Sequence, residues 1–459
     1  MQGDFSELTG NISTASRPSE LRITDVRFCD IAGAPMHCIL MKIFTNQGIC
    51  GFGEIRDGGS KTYALMLKHL LIGENPCDID RIFRKIKQFG GFARQGGGVS
   101  GVEIALWDIA GKAYGVPIYQ MLGGKFRDKV RAYCDTDVEG KHTGKDMGKA
   151  LKARMEKGYT FLKMDLGITL LYGIPGALSA PLGFIEEFGS RRSALETARK
   201  NRNSAPEEFY KALYKNYDIN NVAHPFTGIH ITEKGLDILD EYAGEVRDVI
   251  GYEIPLAIDH FGHLSLEDCI KLCKRLEKYN LAWAEDLIPW QLTEQYAILR
   301  RSTTTPVCTG EDIYLKENFK PLLEAGGVAV IHPDILTSGG ILENKKIGDL
   351  AQDYGVAMAV HMAESPIACM ACVHSVASTE NFLALEMHSV DVDWYNDMVT
   401  GLPCPIVNNG YIEVPDKPGL GIDDLNDEVL AAHIHPDVPG VWADTGNWDF
   451  DTSNHRLWS

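Results

Sequence analysis

Residues 255–262 read PLAIDHFG, and the same pattern returns at 281–290 (LAWAEDLIPW), 306–314 (PVCTGEDIY), 328–336 (VAVIHPDIL), 356–364 (VAMAVHMAE) and 382–389 (FLALEMHS). Each is a short apolar run closed by an acid or a histidine. Asp259 to Glu285 is 26 residues, Glu285 to Glu311 another 26, then 23 to Asp334, 27 to His361 and 25 to Glu386. A strand, a loop and a helix take about that length, so each polar residue holds the same place in successive βα units. Repeated βα units imply a parallel sheet with right-handed crossovers, and six or more suggest closure into a barrel whose active site faces the C-terminal strand ends. Capping of the following helix would explain one or two of these acids, but not a whole series.

Working outward, an earlier run, FLKMDLG at 161–167, ends a further strand and places Lys163 and Asp165 on one side of it. The 94 residues from Asp165 to Asp259 exceed one βα step. The excess, about 168–231, predicts an insertion at the site end of the barrel, where long excursions often act as lids. Upstream, LRITDVRF and CILMKIFTNQGICGFGEI read as strands joined by turns, and GVEIALWDIAGKAYG as a helix. The expected organisation is an extended or disordered tail over 1–20, an α+β capping domain over 21–135, a barrel over 136–392 and a C-terminal segment over 393–459 that packs on the cap or a neighbouring subunit.

Asp259, Glu285 and Glu311 offer only hard oxygen ligands, a set that suits Mg²⁺ better than Zn²⁺ or copper. A divalent cation would also offset the repulsion among three converging carboxylates. Asp334 and His361 end consecutive strands, and a carboxylate bonded to an imidazole fixes its tautomer and raises its basicity, giving a general acid or base near neutral pH. Lys163 could hold a substrate carboxylate or act as a base.

The order Lys163, Asp259, Glu285, Glu311, Asp334, His361 and Glu386, with TNQGICGFGE, SGVEIALWDIAGKAYGVPIYQMLGG and PGLGID, resembles the mandelate racemase branch of the enolase superfamily. The resemblance implies a modified TIM barrel, (β/α)7β, under an α+β cap. It also implies Mg²⁺ on Asp259, Glu285 and Glu311, an Asp334–His361 dyad, and Glu386 hydrogen-bonded to a substrate carboxylate oxygen. Two departures matter. Asp165 stands where members with a base on the second strand often carry a second lysine, which weakens two-base racemisation, though a carboxylate there could bind a sugar hydroxyl or serve as a base. His260 follows Asp259 directly, whereas some acid-sugar dehydratases place a histidine two residues on, and Phe261 fills that place here.

One strong base favours Mg²⁺-dependent loss of the α-proton and a β-hydroxyl from an acid sugar, an aldonate dehydratase giving a 2-keto-3-deoxy acid. Cycloisomerisation or epimerisation of an aldonate or anhydro-aldonate shares the first step and stays open, as does a non-catalytic barrel. Candidate substrate contacts are Arg56, His37, His260 and Trp290, and in the insertion Arg191, Arg192, His224 or His230.

The chain has 45 Lys plus Arg against 63 Asp plus Glu, a formal charge of −18, which argues against nucleic acid and anionic membranes as partners. No apolar run approaches the ~18 residues of a membrane span, and the polar first 20 residues lack a signal-peptide core. Eleven Cys in apolar stretches fit free thiols in a cytoplasmic protein, and the Cys369–Cys372 pair reads as helix packing. A small-molecule carboxylate is the expected partner, and the family resemblance implies a homo-oligomer between dimer and octamer.

Overall fold

Strand β1 (Ile23–Ile31), β2 (Cys38–Thr45) and β3 (Cys50–Ile55) form an antiparallel sheet in the order β1-β2-β3. In this computed structural model, which describes residues 16–180, 184–222, 228–259, 264–436, 438 and 440–450, that sheet lies against the helix Val99–Tyr114. The glycines of CGFGEI explain how closely. A Cβ on Gly53 would sit 2.1 Å from the Gly101 carbonyl oxygen, and one on Gly51 2.2 Å from that of Ala105. Only glycine allows strand and helix backbones to touch in this way. Most of the expected tail falls outside the described residues, and Pro18–Glu20 forms a short 3₁₀ turn.

The barrel begins with β4 (Lys129–Cys134), ahead of the expected boundary at 136, because KVRAYC already alternates buried with more exposed positions. Next come β5 (Leu162–Asp165) and the insertion, in which β6 (Leu178–Ser179) pairs antiparallel with β7 (His230–Ile231) and helices Phe184–Lys200 and Pro206–Val222 pack on each other. Then β8 (Leu256–Asp259), β9 (Ala284–Glu285), β10 (Val307–Thr309), β11 (Val330–Ile331), β12 (Ala357–Val360) and β13 (Phe382–Met387) follow, separated by helices. The parallel sheet runs β13-β12-β11-β10-β9-β8-β5-β4 and closes where Leu385, Glu386 and Met387 pair with Ala132, Tyr133 and Cys134. Eight strands with a helix in each of seven intervals make the (β/α)7β barrel. Beyond it, β14 (Val399–Thr400), β15 (Tyr411–Glu413) and β16 (Asp424–Leu425) are short. The first half of β4 pairs with β15, and the C-terminal segment returns to the cap, where Lys68 meets Asp449 at 2.6 Å.

One residue from each barrel strand, or from just before it, fills the floor of the lumen: Tyr133, Phe161, Ala257, Trp283, Cys308, Val330, Ala359 and Ala384. Three aromatics from one arc face small residues from the other, so large and small side chains interdigitate across the layer. Trp283 and Phe161 rings lie 4.9 Å apart and are fully buried.

Two cap carboxylates join cap to barrel. Glu103 accepts from the backbone N–H of Ile341 (2.7 Å) and Leu342 (3.0 Å), the start of helix Ile341–Asp353. Glu54 accepts from the Ser365 hydroxyl and from the N–H of Ser365 (3.2 Å) and Ala368 (3.3 Å), the start of helix Pro366–Ala377. Each occupies orphan donors at the positive end of a helix. Cys369 and Cys372 are buried in the second of these helices, and all eleven cysteines are free thiols. No helix among the described residues is long and apolar enough to cross a membrane.

Trp283→Ala removes the largest plug of the floor layer. We expect a loss of about 3–5 kcal/mol, measured by urea unfolding followed by tyrosine and tryptophan emission.

Candidate active site

Strand alternation builds the site on the floor layer. Two residues past each floor residue, on the same face, come Asp135, Lys163, Asp259, Glu285, His332, His361 and Glu386. All of these are buried or nearly so, the most exposed side chains at 8% or less. Glu311 is three residues past Cys308, off the alternation. Gly310, at φ +147° and with no room for a Cβ against Phe319 and the His332 backbone, turns the chain so that Glu311 enters the ring.

Lys163 Nζ lies 2.7 Å from Asp259 Oδ2, 2.7 Å from Glu386 Oε1, 3.3 Å from Glu285 Oε1 and 3.9 Å from Asp135 Oδ1. Burial disfavours its charge, but these four carboxylates outweigh that and hold its pKa well above the ordinary lysine value. The lysine is thus a buried cation shared among four acids. His361 Nδ1 is 2.7 Å from Asp334 Oδ2, and its Nε2 is 3.2 Å from Glu311 Oε2. Asp334 also accepts from the N–H of Leu336 (2.8 Å) and Thr337 (2.9 Å), so it cannot swing away from the imidazole. Although burial opposes its ionisation, Arg56 and His361 hold Asp334 below the usual carboxylate value.

Arg56 follows directly on β3 and is 2% exposed. It donates to Glu311 Oε1 (2.8 Å), to the Glu311 carbonyl oxygen (2.6 Å) and to Thr337 Oγ1. The cap thus contributes a cation to the barrel's ring. Burial raises Glu285 and Asp286 well above ordinary carboxylates, and their acidic neighbours push them further.

The family models agree with this architecture. The mandelate racemase / muconate lactonizing enzyme N-terminal domain matches residues 28–123, and the enolase C-terminal domain-like model matches 225–428. The chain belongs to the mandelate racemase / muconate lactonizing branch of the enolase superfamily. Within this superfamily it is 32% identical to a D-xylonate dehydratase of Haloferax volcanii over 90% of this chain and 89% of that one. It is 28% identical to a D-galactonate dehydratase of Ralstonia pickettii over 88% and 93%. The crystal structure of a mandelate racemase/muconate lactonizing enzyme-like protein from Rubrobacter xylanophilus superposes with a TM-score of 0.74 at 27% identity, covering 92% of this chain and 99% of that one.

The superfamily implies a divalent cation, and the residues fit one. Carboxylates of Asp135, Asp259, Glu285, Asp286, Glu311, Asp334 and Glu386 crowd around only two cations, Lys163 and Arg56, an excess of negative charge that a divalent cation would offset. Glu285, Asp286 and Glu311 bring oxygens within 4.8 Å of one another, an oxygen-only set. Asp286 was not anticipated in this group. It enters because its backbone turns at φ +46° after β9. Asp259, expected as a ligand, stands beside Lys163.

Of the anticipated substrate contacts, Arg56 reaches the ring but is committed to Glu311. His37 pairs with Asp30 (3.4 Å) and stacks on His435, both outside the barrel. Trp290 packs on Phe92 of the cap at 4.8 Å, helping to seal cap against barrel. Asp165 pairs in register with Asp259 across β5 and β8, at the rim above Lys163. In the insertion, Arg191 donates to the Lys215 carbonyl and His230 Nδ1 meets Asp268 at 2.9 Å. His260, His224 and the side chain of Arg192 lie outside the described residues. Three ring members were not singled out from sequence: Asp135, His332 and His388. Alternation from Tyr133, Val330 and Ala384 would have found them. His332 Nδ1 is 2.6 Å from Glu285 Oε1 and its Nε2 is 2.6 Å from the Tyr133 hydroxyl, and burial lowers its pKa to about 4.

Removing Arg56 leaves the partly buried Glu311 and the fully buried Asp334 without their cation from the cap. Arg56→Ala is expected to cost about 3–5 kcal/mol, read as a lowered midpoint in thermal or denaturant melts.

Proposed function

We propose that the protein is a sugar-acid dehydratase, a carbon–oxygen lyase that uses Mg²⁺ to convert an aldonate to a 2-keto-3-deoxy acid. The observation that carries this reading is the Asp334–His361 dyad set beside a ring of buried carboxylates, in a chain whose full-length relatives are named for dehydration of D-xylonate and D-galactonate.

Asp259, Glu285 and Glu311 would hold the cation, with Asp286 beside them. When bound, it supplies Lewis acidity that acidifies the proton α to a substrate carboxylate. The chain's own groups do the rest. Asp334 fixes the proton on His361 Nδ1, which leaves Nε2 as the basic nitrogen on the ring side. His361 takes the α-proton through Nε2, and its position 3.2 Å from Glu311 keeps it beside the bound carboxylate. Lys163 stabilises the negative charge that develops on the carboxylate oxygens, and Glu386, 2.7 Å from Lys163 Nζ and 3.4 Å from His332 Nε2, orients the lysine. The cap, anchored through Glu54 and Glu103, excludes water over the lumen.

The test is a panel of five- and six-carbon aldonates with Mg²⁺, read by keto-acid formation and mass. A product lighter by one water supports dehydration, whereas unchanged mass assigns an isomerase. His361→Asn is expected to lower kcat by about 10²–10⁴-fold while calorimetry shows Mg²⁺ still binding. Unchanged turnover would remove His361 from the mechanism. Glu285→Gln should instead weaken Mg²⁺ binding itself, and chelation of the metal from the wild-type protein should stop turnover until Mg²⁺ is restored.

A further inference from the structure

Two turns meet back to back outside the ring. EKGYT at 156–160 leads from helix Gly144–Glu156 into β5, and NNGY at 408–411 leads into β15. Both turn on glycines at positive φ, Gly158 at +90° and Gly410 at +74°. A Cβ on Gly158 would stand 2.6 Å from Asn409 Cα, and one on Gly410 2.5 Å from the Gly158 carbonyl oxygen, so the two backbones touch. A third segment, 389–396, is tied to both neighbours. Arg154 grips the Asp391 carboxylate through both terminal guanidinium nitrogens, the Nη1 bond being 2.8 Å, and Asn396 Oδ1 accepts from the Ile406 N–H at 2.9 Å.

These segments enclose a cavity of about 420 Å³, and none of its lining residues belongs to the ring of the candidate active site. Its polar lining includes Tyr159, Asn396, Asn408 and Asn409, with Lys157 and Asp393, and three valines and a proline complete the wall. Tyr159 is 4% exposed, yet among the described residues its hydroxyl has no hydrogen-bond partner. That is costly for a buried polar group, which has given up its bonds to water. Tyr395, also in the lining and 2% exposed, is satisfied, because its hydroxyl donates to the Glu364 carbonyl oxygen at 3.2 Å. The Tyr159 hydroxyl is left for whatever fills the cavity.

We propose that this cavity is a second binding site, for a neutral polyhydroxylated molecule of monosaccharide size such as an aldose. The volume lies at the lower end of the range for small-molecule pockets. Asn408 and Asn409 each offer a donor and an acceptor, as a vicinal diol requires, and Asn396, whose oxygen is engaged, offers its amide NH₂. The Tyr159 hydroxyl can donate or accept, and the valines suit the C–H face of a sugar ring. One cation, Lys157, and one carboxylate, Asp393, cancel in charge, so the lining has no net field with which to select an anion. The site does not depend on the dehydratase reading of the lumen.

Saturation-transfer NMR with D-xylose and D-galactose as probes, with Mg²⁺ present, compares wild type, Tyr159→Phe, Asn408→Ala and His361→Asn. Wild type and His361→Asn should bind an aldose equally, with Kd about 1 mM or tighter. In His361→Asn, excess D-xylonate should leave the bound aldose in place. Tyr159→Phe removes one oxygen atom and should weaken binding about fivefold or more, while its thermal midpoint stays at or above that of wild type, because no bond within the protein is lost. The exposed Asn408→Ala should weaken binding as well. The proposal is overturned if wild type binds neither aldose, if D-xylonate displaces the aldose, or if either cavity variant binds as tightly as wild type. A lowered midpoint in Tyr159→Phe also overturns it, since the hydroxyl would then serve the fold.

Discussion

Burying several carboxylates within a few ångströms of one another is unfavourable unless cations lie among them, and Lys163 and Arg56 meet that requirement from two different parts of the chain. Lys163 rises from inside the barrel on β5 and holds Asp259, Glu285 and Glu386. Arg56 comes down from the cap and holds Glu311, within 3.9 Å of Asp334. Neither half of the protein completes the ring by itself. The charge of −18, which by itself would repel an anionic substrate, is therefore irrelevant at the point where it matters. Local negative charge is organised around cations and can recruit one more.

The same logic explains how the cap stays seated. Glu54 and Glu103 are buried, and burial pushes their pKa values up to about 7 and about 8, despite the backbone donors that favour ionisation. Each sits at the start of a barrel helix, where N–H groups have no intrahelical partner. Arg56 is two residues past Glu54, and Glu54 is one past Gly53, whose missing side chain lets β3 lie on the Val99–Tyr114 helix. Glycine contact, carboxylate cap and arginine thus form one continuous strand end, and its placement sets where the Glu311 carboxylate stands relative to His361.

Much of the site could be read in the chain because a barrel strand has a fixed period of two. Lys163, Asp259, Glu285 and His361 follow Phe161, Ala257, Trp283 and Ala359 by two residues, and the floor residue and the functional residue share a face. Asp135, His332 and His388 obey the same rule. They escaped notice because the spacing between repeats marks one polar residue per strand, whereas the lumen takes two or three layers from each. Glu311 and Asp286 depart from it through positive-φ turns at Gly310 and Asp286 itself, which periodicity does not reveal.

The sequence alone determined the barrel, the cap, the order of chemistry-bearing residues and the family to which they belong, since these depend on local periodicity and on spacing along one chain. Only the tertiary structure decided the partners: that Arg56 serves Glu311 rather than standing open to solvent, that Lys163 is shared among four acids, and that His388 faces His361. Those pairings join residues up to 255 positions apart. They are set by closure of the sheet and seating of the cap, and the distance between two side chains across a lumen is not encoded in their separation along the chain.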